Sequence, residues 1–402
     1  MNKHLHQSVT TQLANKRIVI LGIGITGLSC ARFLHRHQIS FAVNDSRAMP
    51  ISPGDFKHQF ADNTLVLGQW DSALIAQAEV LIVSPGIDIS VPEISHAIAK
   101  NCDVIGDIEL FCRLSDTKII AVTGSNGKST VVSMLNYVGN ALGYHVQLGG
   151  NIGLPVLDQI DEVDADFIVL ELSSFQLETV KSMKALAATI LNISDDHLDR
   201  HKTIENYAAI KQKIYQNARY AIFNRDDEST KPIENCTNTE QLSFGCDSAQ
   251  NANFGLADID GVVHLMDGET SLITFKGLAH RCEVIETTDG ICWVNDSKAT
   301  NVGATLAAIE GLSPTLKNNK LILIAGGDGK GADFSPLKQA LTQHVDYLIT
   351  LGKDGRAIAS LRLPNQASTT THVETLSAAV SLAKNQASAG DMVLLSPACA
   401  SL

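Results

Sequence analysis

The stretch Ile119-Ile-Ala-Val-Thr-Gly-Ser-Asn-Gly-Lys-Ser-Thr130 constrains this chain more than any other part of it. An apolar run leads into a glycine turn, and apolar residues then recur at 131, 134, 135, 138 and 142 before Gly143. That pattern predicts a buried strand, a tight turn and a helix, the unit from which parallel α/β sheets are built. Gly124 and Gly127 let backbone N–H groups point into one concavity at a helix N-terminus, where the helix dipole adds partial positive charge. Lys128 supplies a full charge, and Ser129 and Thr130 supply hydroxyls suited to a divalent cation. With Ser125 and Asn126 these residues form a phosphate-binding loop, and a nucleoside triphosphate with Mg²⁺ is its expected ligand. The commoner form of the loop starts on a glycine where this chain has Val122, so this is a variant.

A second glycine turn, Gly22-Ile-Gly-Ile-Thr-Gly27, follows the apolar run Arg17–Leu21, and Asp45 closes the next strand 18 residues past Gly27. The spacing fits a dinucleotide fingerprint, yet the same turn serves any diphosphate, a nucleotide sugar included. An NAD-dependent dehydrogenase would make this the catalytic half and leave the 124–130 loop unexplained. Asp45-Ser-Arg47 and Ser84-Pro-Gly86 end neighbouring strands and either face the same ligand or are plain turns.

Short Val- and Ile-rich runs recur along the chain. Besides Arg17–Leu21 they are Val80–Val83, Ile119–Val122, Phe167–Leu170, Ala188–Ile193, Ile291–Val294, Leu321–Ala325, Tyr347–Leu351 and Met392–Leu395. Each ends in polar turn residues, the alternation of parallel α/β domains, in which ligands bind beyond the carboxyl ends of strands. Polar breaks at Ser115–Lys118 and Lys276–Ala279 divide the 402 residues into expected domains at 1–116, 117–277 and 278–402. The stretch from Asn235 to Ser271 reads as short strands and loops. A formal charge of −12 disfavours nucleic acid and anionic membranes as partners. Eight cysteines, none in a Cys-x-x-Cys pair, suit a reducing compartment, and no run of 18 apolar residues predicts membrane insertion. A cytoplasmic protein is expected.

Two acidic segments close central strands: Glu171-Leu-Ser-Ser-Phe-Gln-Leu-Glu178 and Asn192-Ile-Ser-Asp-Asp-His-Leu-Asp199. A carboxylate one strand from a phosphate loop is where a metal-bound nucleotide needs an oxygen ligand, which marks Glu171 and, as a second ligand, His197. Asp195-Asp-His197 on its own would more often read as a solvated helix start, and its place beside the loop favours function. Towards the C-terminus, Asn295-Asp-Ser-Lys-Ala-Thr-Asn301, Gly326-Gly-Asp-Gly-Lys330 and Ser396-Pro-Ala-Cys-Ala-Ser401 also sit at strand ends. Lys298 and Lys330 are candidates to hold a carboxylate or phosphate, against the alternative of exposed turn lysines.

Taken together these segments resemble the Mur ligases of peptidoglycan synthesis. GIGITGLS, DSR, SPGI, TGSNGKST, GGNIG, ELSSFQLE, NISDDHLDRH, Ala209-Ile-Lys211, GLAHR, NDSKATN, GGDGKGADF and LLSPACASL carry the resemblance from residue 22 to 402. It implies an α/β chain of three domains: a Rossmann-like N-terminal domain for a UDP-sugar, a central P-loop domain for ATP and metal, and a Rossmann-like C-terminal ligase domain. It also implies the addition of D-glutamate to UDP-N-acetylmuramoyl-L-alanine through an acyl phosphate, by a monomer. Thr26, Asp45, Arg47, Ser84 and Asn151 would then contact the UDP-sugar. Gly124 to Thr130 would hold ATP, and Ser129, Glu171, His197 and Lys211 would place two Mg²⁺ ions, Lys211 as a carbamate. Arg281, Asp296 and Lys298 would lie on the nucleotide side, with Thr300, Lys330 and Ser401 around D-glutamate.

Departures from the family pattern shape three further expectations. Relatives carry a helical segment between Gly268–Ile273 and Gly277–Arg281 that this chain lacks, a loss expected to bare apolar sheet surface and weaken adenine binding. The chain also ends at Leu402, where relatives continue, so strand Met392–Leu395 is expected to have one face uncovered. A shortened enzyme of impaired turnover is the third expectation. The rivals are a noncatalytic UDP-sugar or nucleotide-binding homologue, or another amide ligase such as a folylpolyglutamate synthetase.

Overall fold

Val- and Ile-rich runs buried on both faces become parallel strands because only crossover helices can cover both sides of a sheet. The computed structural model describes residues 3–160, 165–233, 239–245, 257–259, 262–264 and 277–400. They form two compact units, Met1–Ile193 with Leu198–Leu272, and Ser194–His197 with Ile273–Leu402.

The first unit holds two all-parallel sheets. The front sheet comprises β1 (Ile18–Leu21), β2 (Ala42–Asp45), β3 (Thr64–Leu67), β4 (Val80–Val83) and β5 (Asp103–Ile105), in the order β3-β2-β1-β4-β5. The order reverses between β1 and β4, the switch point at which such sheets open a crevice. The central sheet comprises β6 (Lys118–Thr123), β7 (Val146–Gly150), β8 (Phe167–Glu171), β9 (Ala185–Ile190), β10 (Tyr220–Asn224) and β11 (Glu240–Phe244), in the order β11-β10-β9-β6-β8-β7. Strand β6 lies in its middle, so the loop after it opens between the ends of β8 and β9. The strands β12 (Ala257–Ile259) and β13 (Val262–His264) pair antiparallel.

One apolar core runs through both sheets, from Ile18, Ile20 and Leu110 to Ala121, Ile168 and Ile190. Polar contacts pin the same junction. Arg32 is paired with Asp158, Arg36 Nη2 donates to Leu157 O at 3.1 Å, and Glu109 Oε2 accepts from Lys181 N at 2.7 Å and Ser182 N at 2.8 Å.

The second unit carries one sheet: β14 (Glu283–Ile285), β15 (Cys292–Asn295), β16 (Leu321–Gly326), β17 (Tyr347–Leu351), β18 (Thr370–His372) and β19 (Met392–Leu395), in the order β14-β15-β19-β16-β17-β18. Only β14 is antiparallel among these pairings. The expectation of an uncovered face on β19 is wrong. Met392 and Leu394 pack with Ile309, Leu323 and Leu341 on one face, and Val393 packs with Ile322, Ala379 and Ala383 on the other. The helices Val302–Leu312, Leu337–His344 and Leu376–Gln386 supply the cover that the sequence pattern assigned to residues beyond the chain.

The helix after the phosphate loop spans Lys128–Ala141 and buries Val132, with Val131 and Leu135 packed beside it. Leu142, expected on that apolar face, is 57% exposed because the helix stops one residue earlier and Gly143 turns the chain with φ +85°. The bared sheet surface expected beside the absent segment, around 265–276, lies outside the described residues.

Candidate active site

The end of β6 has to turn sharply, and its glycines show why. Gly124 has φ +149° and Gly127 φ +80°, left-handed conformations that side chains resist. A Cβ on Gly124 would lie 3.1 Å from Leu191 Cβ, so the turn is also packed against the end of β9. Asn192 clasps the loop from that side: its carbonyl accepts Ser125 N at 2.9 Å, its Oδ1 accepts Asn126 N at 2.8 Å, and its Nδ2 donates to Asn126 O at 3.2 Å.

Two lysines converge on this turn. Lys128 Nζ donates to Gly124 O at 2.7 Å and Ser125 O at 2.9 Å, while Lys211 Nζ donates to the same Gly124 O at 3.0 Å and to Thr123 Oγ1 at 3.1 Å. Lys211 is buried, its charge 4.6 Å from the centre of the Tyr207 ring, and the Tyr207 hydroxyl is bonded to Ser125 Oγ at 3.2 Å. Tyr207 and Lys211 are four residues apart on helix Ile204–Gln212, hence on one face of it. The concentration of positive charge suits a polyphosphate.

Glu171 ends β8, one strand from the loop, and is 1% exposed. Asn151 Nδ2 donates to its Oε1 at 2.8 Å, and its Oε2 is buried with no hydrogen-bond partner. A buried carboxylate oxygen without a donor is costly, and a hard cation is the partner that chemistry supplies. The residues therefore fit Mg²⁺ at Glu171, and Ser129, the hydroxyl that follows Lys128, sits in the first turn of the helix after the phosphate loop. Among the described residues no group of three or more His, Cys, Asp or Glu side chains is assembled as a metal cluster. His197 is grouped with the second unit; it is half-exposed, with φ +54° and its Nε2 3.7 Å from Asp196 Oδ2.

At the switch point of the front sheet a cleft of about 610 Å³ gathers Thr26, Asp45, Arg47, Ser84 and Asn151. All five residues expected to contact a UDP-sugar line it. Gly22 has φ +85°, and a Cβ on Gly27 would lie 1.9 Å from Gly22 O, so the first helix approaches the turn as closely as glycine allows. Ser84 Oγ donates to Gly22 O at 3.0 Å. Asp45 is buried and accepts four donors: Arg47 N and Nε on Oδ1 at 2.9 and 3.0 Å, Ile23 N and Arg47 Nη2 on Oδ2 at 2.9 and 2.7 Å. Burial pulls its pKa up, but the hydrogen bonds and charge of Arg47 with the Ile23 N–H outweigh this and hold it below the usual carboxylate value. Its acceptor capacity is filled, so Asp45 supports the turn and Arg47, and the ribose-reading role of a dinucleotide fingerprint is closed to it.

The front turn and the phosphate loop are joined through one residue, since Asn151 both lines the cleft and holds Glu171. Asn151 N also donates to Glu171 O at 2.8 Å, and a Cβ on Gly150 would lie 2.1 Å from that carbonyl.

In the second unit Asp296 is buried, accepting Ser396 Oγ at 2.8 Å and Cys282 N at 3.2 Å, and burial raises its pKa despite those bonds. Lys298 N donates to His280 O at 3.2 Å; Arg281 precedes β14 and Thr300 follows β15. Lys330 takes φ +51°, its N–H bonded to Asp328 Oδ1 at 2.9 Å, and Asp328 bridges Ala400. Ser401 lies outside the described residues.

Three residues of the first unit go beyond those the sequence singles out: Asn192, Tyr207 and Asp107, the last of which lines the front cleft. Asn192 and Tyr207 carry findable signals, the end of a strand and the i, i+4 spacing to Lys211. Asp107 opens a helix and reads as an ordinary first-turn acid.

Known proteins are similar to this chain in sequence and in fold. The family described as "Mur ligase MurD-like, N-terminal domain" matches residues 16–106, "Mur ligase middle domain" residues 122–284, and "Mur ligase, glutamate ligase domain" residues 280–399. The chain is 48% identical over 449 residues to the UDP-N-acetylmuramoylalanine--D-glutamate ligase of Colwellia psychrerythraea, covering 98% of this chain and 94% of that protein. It is 43% identical over 421 residues to the enzyme of that name from Shewanella oneidensis, covering 96% and 93%. The Colwellia alignment is longer than the 402 residues of this chain, so that relative carries residues with no counterpart here. Among solved structures, a pseudomurein peptide ligase type C from Methanothermus fervidus shares the fold, at TM-score 0.56 and 18% identity, covering 95% of this chain and 96% of its own.

Proposed function

Because the chain belongs to the Mur ligase family, we propose that it is an ATP-dependent ligase joining D-glutamate to UDP-N-acetylmuramoyl-L-alanine in peptidoglycan precursor synthesis. The observation that carries the reading is Asn151, which lines the front cleft and also bonds Glu171, the carboxylate one strand from the phosphate loop. A substrate held by Thr26, Arg47 and Ser84 would extend its acyl end towards Asn151 and so towards the nucleotide.

The chemistry is governed by charge. The substrate carboxylate attacks the γ-phosphorus of ATP to give an acyl phosphate and ADP; the amine of D-glutamate then displaces phosphate and an amide forms. Lys128 and the loop N–H groups stabilise the charge spreading over the transferring phosphoryl group. Asn192 and Tyr207 keep the loop in shape for it. Glu171 and Ser129 would hold Mg²⁺, which when bound neutralises phosphate charge. A second Mg²⁺, with Lys211 as a carbamate, belongs to the same reading: two ammonium groups on one carbonyl oxygen repel, and an anionic carbamate at Lys211 would remove that repulsion. Mass spectrometry of the intact protein under CO₂ and without it tests the carbamate. In the second unit His197 would serve the metal, Arg281, Asp296 and Lys298 the nucleotide, and Thr300, Lys330 and Ser401 D-glutamate. Domain limits near residues 116 and 277, a monomeric state and a cytoplasmic location complete the proposal.

The test is phosphate release and product mass with D-glutamate against L-lysine as acceptor; no D-glutamate-dependent product would overturn the reading. The residues of the Colwellia enzyme without counterpart here favour one alternative, a chain that binds both ligands and turns over slowly or not at all. Calorimetric binding of UDP-sugar and ATP with no phosphate released would select it.

A further inference from the structure

Two buried carboxylates of the first unit keep one oxygen without a hydrogen-bond partner, Glu171 Oε2 and Asp107 Oδ1. The first is explained by a cation. The second is not, and Asp107 lines the UDP-sugar cleft while being only 4% exposed. Burial pushes its pKa up to about 6, against the opposing pull of the Ile108 N–H and its own N–H, and no basic side chain contributes. A residue needed only to cap helix Asp107–Leu114 would do so from solvent, where neither oxygen is stranded. Buried polar groups without a partner are rare enough to need an explanation, and a cleft wall supplies one.

The strand order says which part of the ligand passes Asp107. Across the front sheet the carboxyl ends come in the order β2, β1, β4, β5, bearing Arg47, the Gly22–Thr26 turn, Ser84 and Asp107 in turn. A diphosphate at the N-terminus of helix Ile25–Arg36 would leave the nucleoside on the β2 side, where sheets of this order take it, and the sugar on the β5 side. Asn151 and Gln176 line the same cleft, and the end of β5 meets the segment that carries Gln176, since a Cβ on Gly106 would lie 2.6 Å from Thr179 Oγ1.

We propose that Asp107 is a substrate-binding residue whose carboxylate accepts a hydrogen bond from a hydroxyl or amide N–H on the sugar or acyl part of the UDP-sugar, and not from its nucleotide. This rests on the function proposed above. A buried acceptor of this kind selects against analogues lacking the donor, because binding them would leave it unpaired.

Calorimetry on the full chain tests the assignment, with UDP and UDP-N-acetylmuramoyl-L-alanine as probes and wild type, Asp107→Ala and Asp107→Asn as proteins. Asp107→Ala is expected to weaken UDP-sugar binding roughly 10- to 100-fold, as for a lost bond to a charged group, with UDP affinity held within about twofold. Asp107→Asn keeps an acceptor oxygen and should lose less than about tenfold. In steady state the loss falls on KM for the UDP-sugar rather than on kcat. Equal losses for UDP and UDP-sugar, or no loss for either, would overturn the assignment while leaving the ligase reading intact. A wild-type protein that binds no UDP-sugar would overturn both.

Discussion

The front turn at Gly22–Gly27 and the phosphate loop at Gly124–Thr130 start from the same design, a buried strand running through left-handed glycine into a helix. They differ in what closes over the glycines. The front turn is tied to a carboxylate, Asp45, whose four acceptor positions are all filled. Two ammonium groups bind the phosphate loop, and the nearby carboxylate, Glu171, has an open oxygen. One is therefore finished as a binding surface. The other keeps charge available, as a site must when charge on its ligand changes during reaction.

Substitutions can break that contrast. Lys128→Ala should lower the rate of ADP formation by about 10³-fold, with UDP-sugar affinity by calorimetry within about twofold of wild type. A matching loss of UDP-sugar affinity would mean the two loops do not divide the work. Glu171→Gln preserves the bond from Asn151 but not the charge; kcat should fall about 10²-fold, and nucleotide binding should need more Mg²⁺, read as a shifted Mg²⁺ titration. Arg47→Ala should weaken UDP-sugar binding about tenfold and leave ATP binding alone.

The same variant sharpens the comparison through pH. Asp45 has its folded pKa lowered, so the stability it contributes is present above the ordinary carboxylate pKa and lost as pH falls through the folded value. Wild-type Tm should therefore drop more steeply than that of Arg47→Ala as pH falls below the ordinary carboxylate value. Asp107 has the opposite sign: its folded pKa is raised to about 6, so its contribution is full below the unfolded value and lost as pH rises through about 6. Smallest is Gly127→Ala, where a Cβ meets nothing nearer than Leu191 Cδ1 at 3.7 Å. The cost is the left-handed φ alone, about 1 kcal/mol, visible as a slightly lower Tm.

Much of this site is legible along the chain because function in parallel α/β sheets collects at strand ends, and strand ends are marked by apolar runs stopping at polar turns. Thr26, Arg47 and Ser84 are marked in this way on three separate segments, Asn151 enters through the family resemblance alone, and the cleft unites the four. Short or half-exposed strands such as β3, β5, β14 and β18 give too little apolar signal to be read. The mistaken open face of β19 has a related cause. A central strand can be covered by helices well before it in the chain or by a segment after it, and sequence order conceals which is used.

Residue order alone determined the strand–turn–helix units, the phosphate loop and the family, since these depend on local spacing and on residue types that only certain backbone conformations accept. Tertiary structure decided the state of each carboxylate. Asp45 is saturated, Glu171 open and Asp107 buried with one oxygen unanswered. Hydrogen-bond satisfaction depends on partners brought in from distant segments, so carboxylates that look alike along the chain end up with one or none of their oxygens left open.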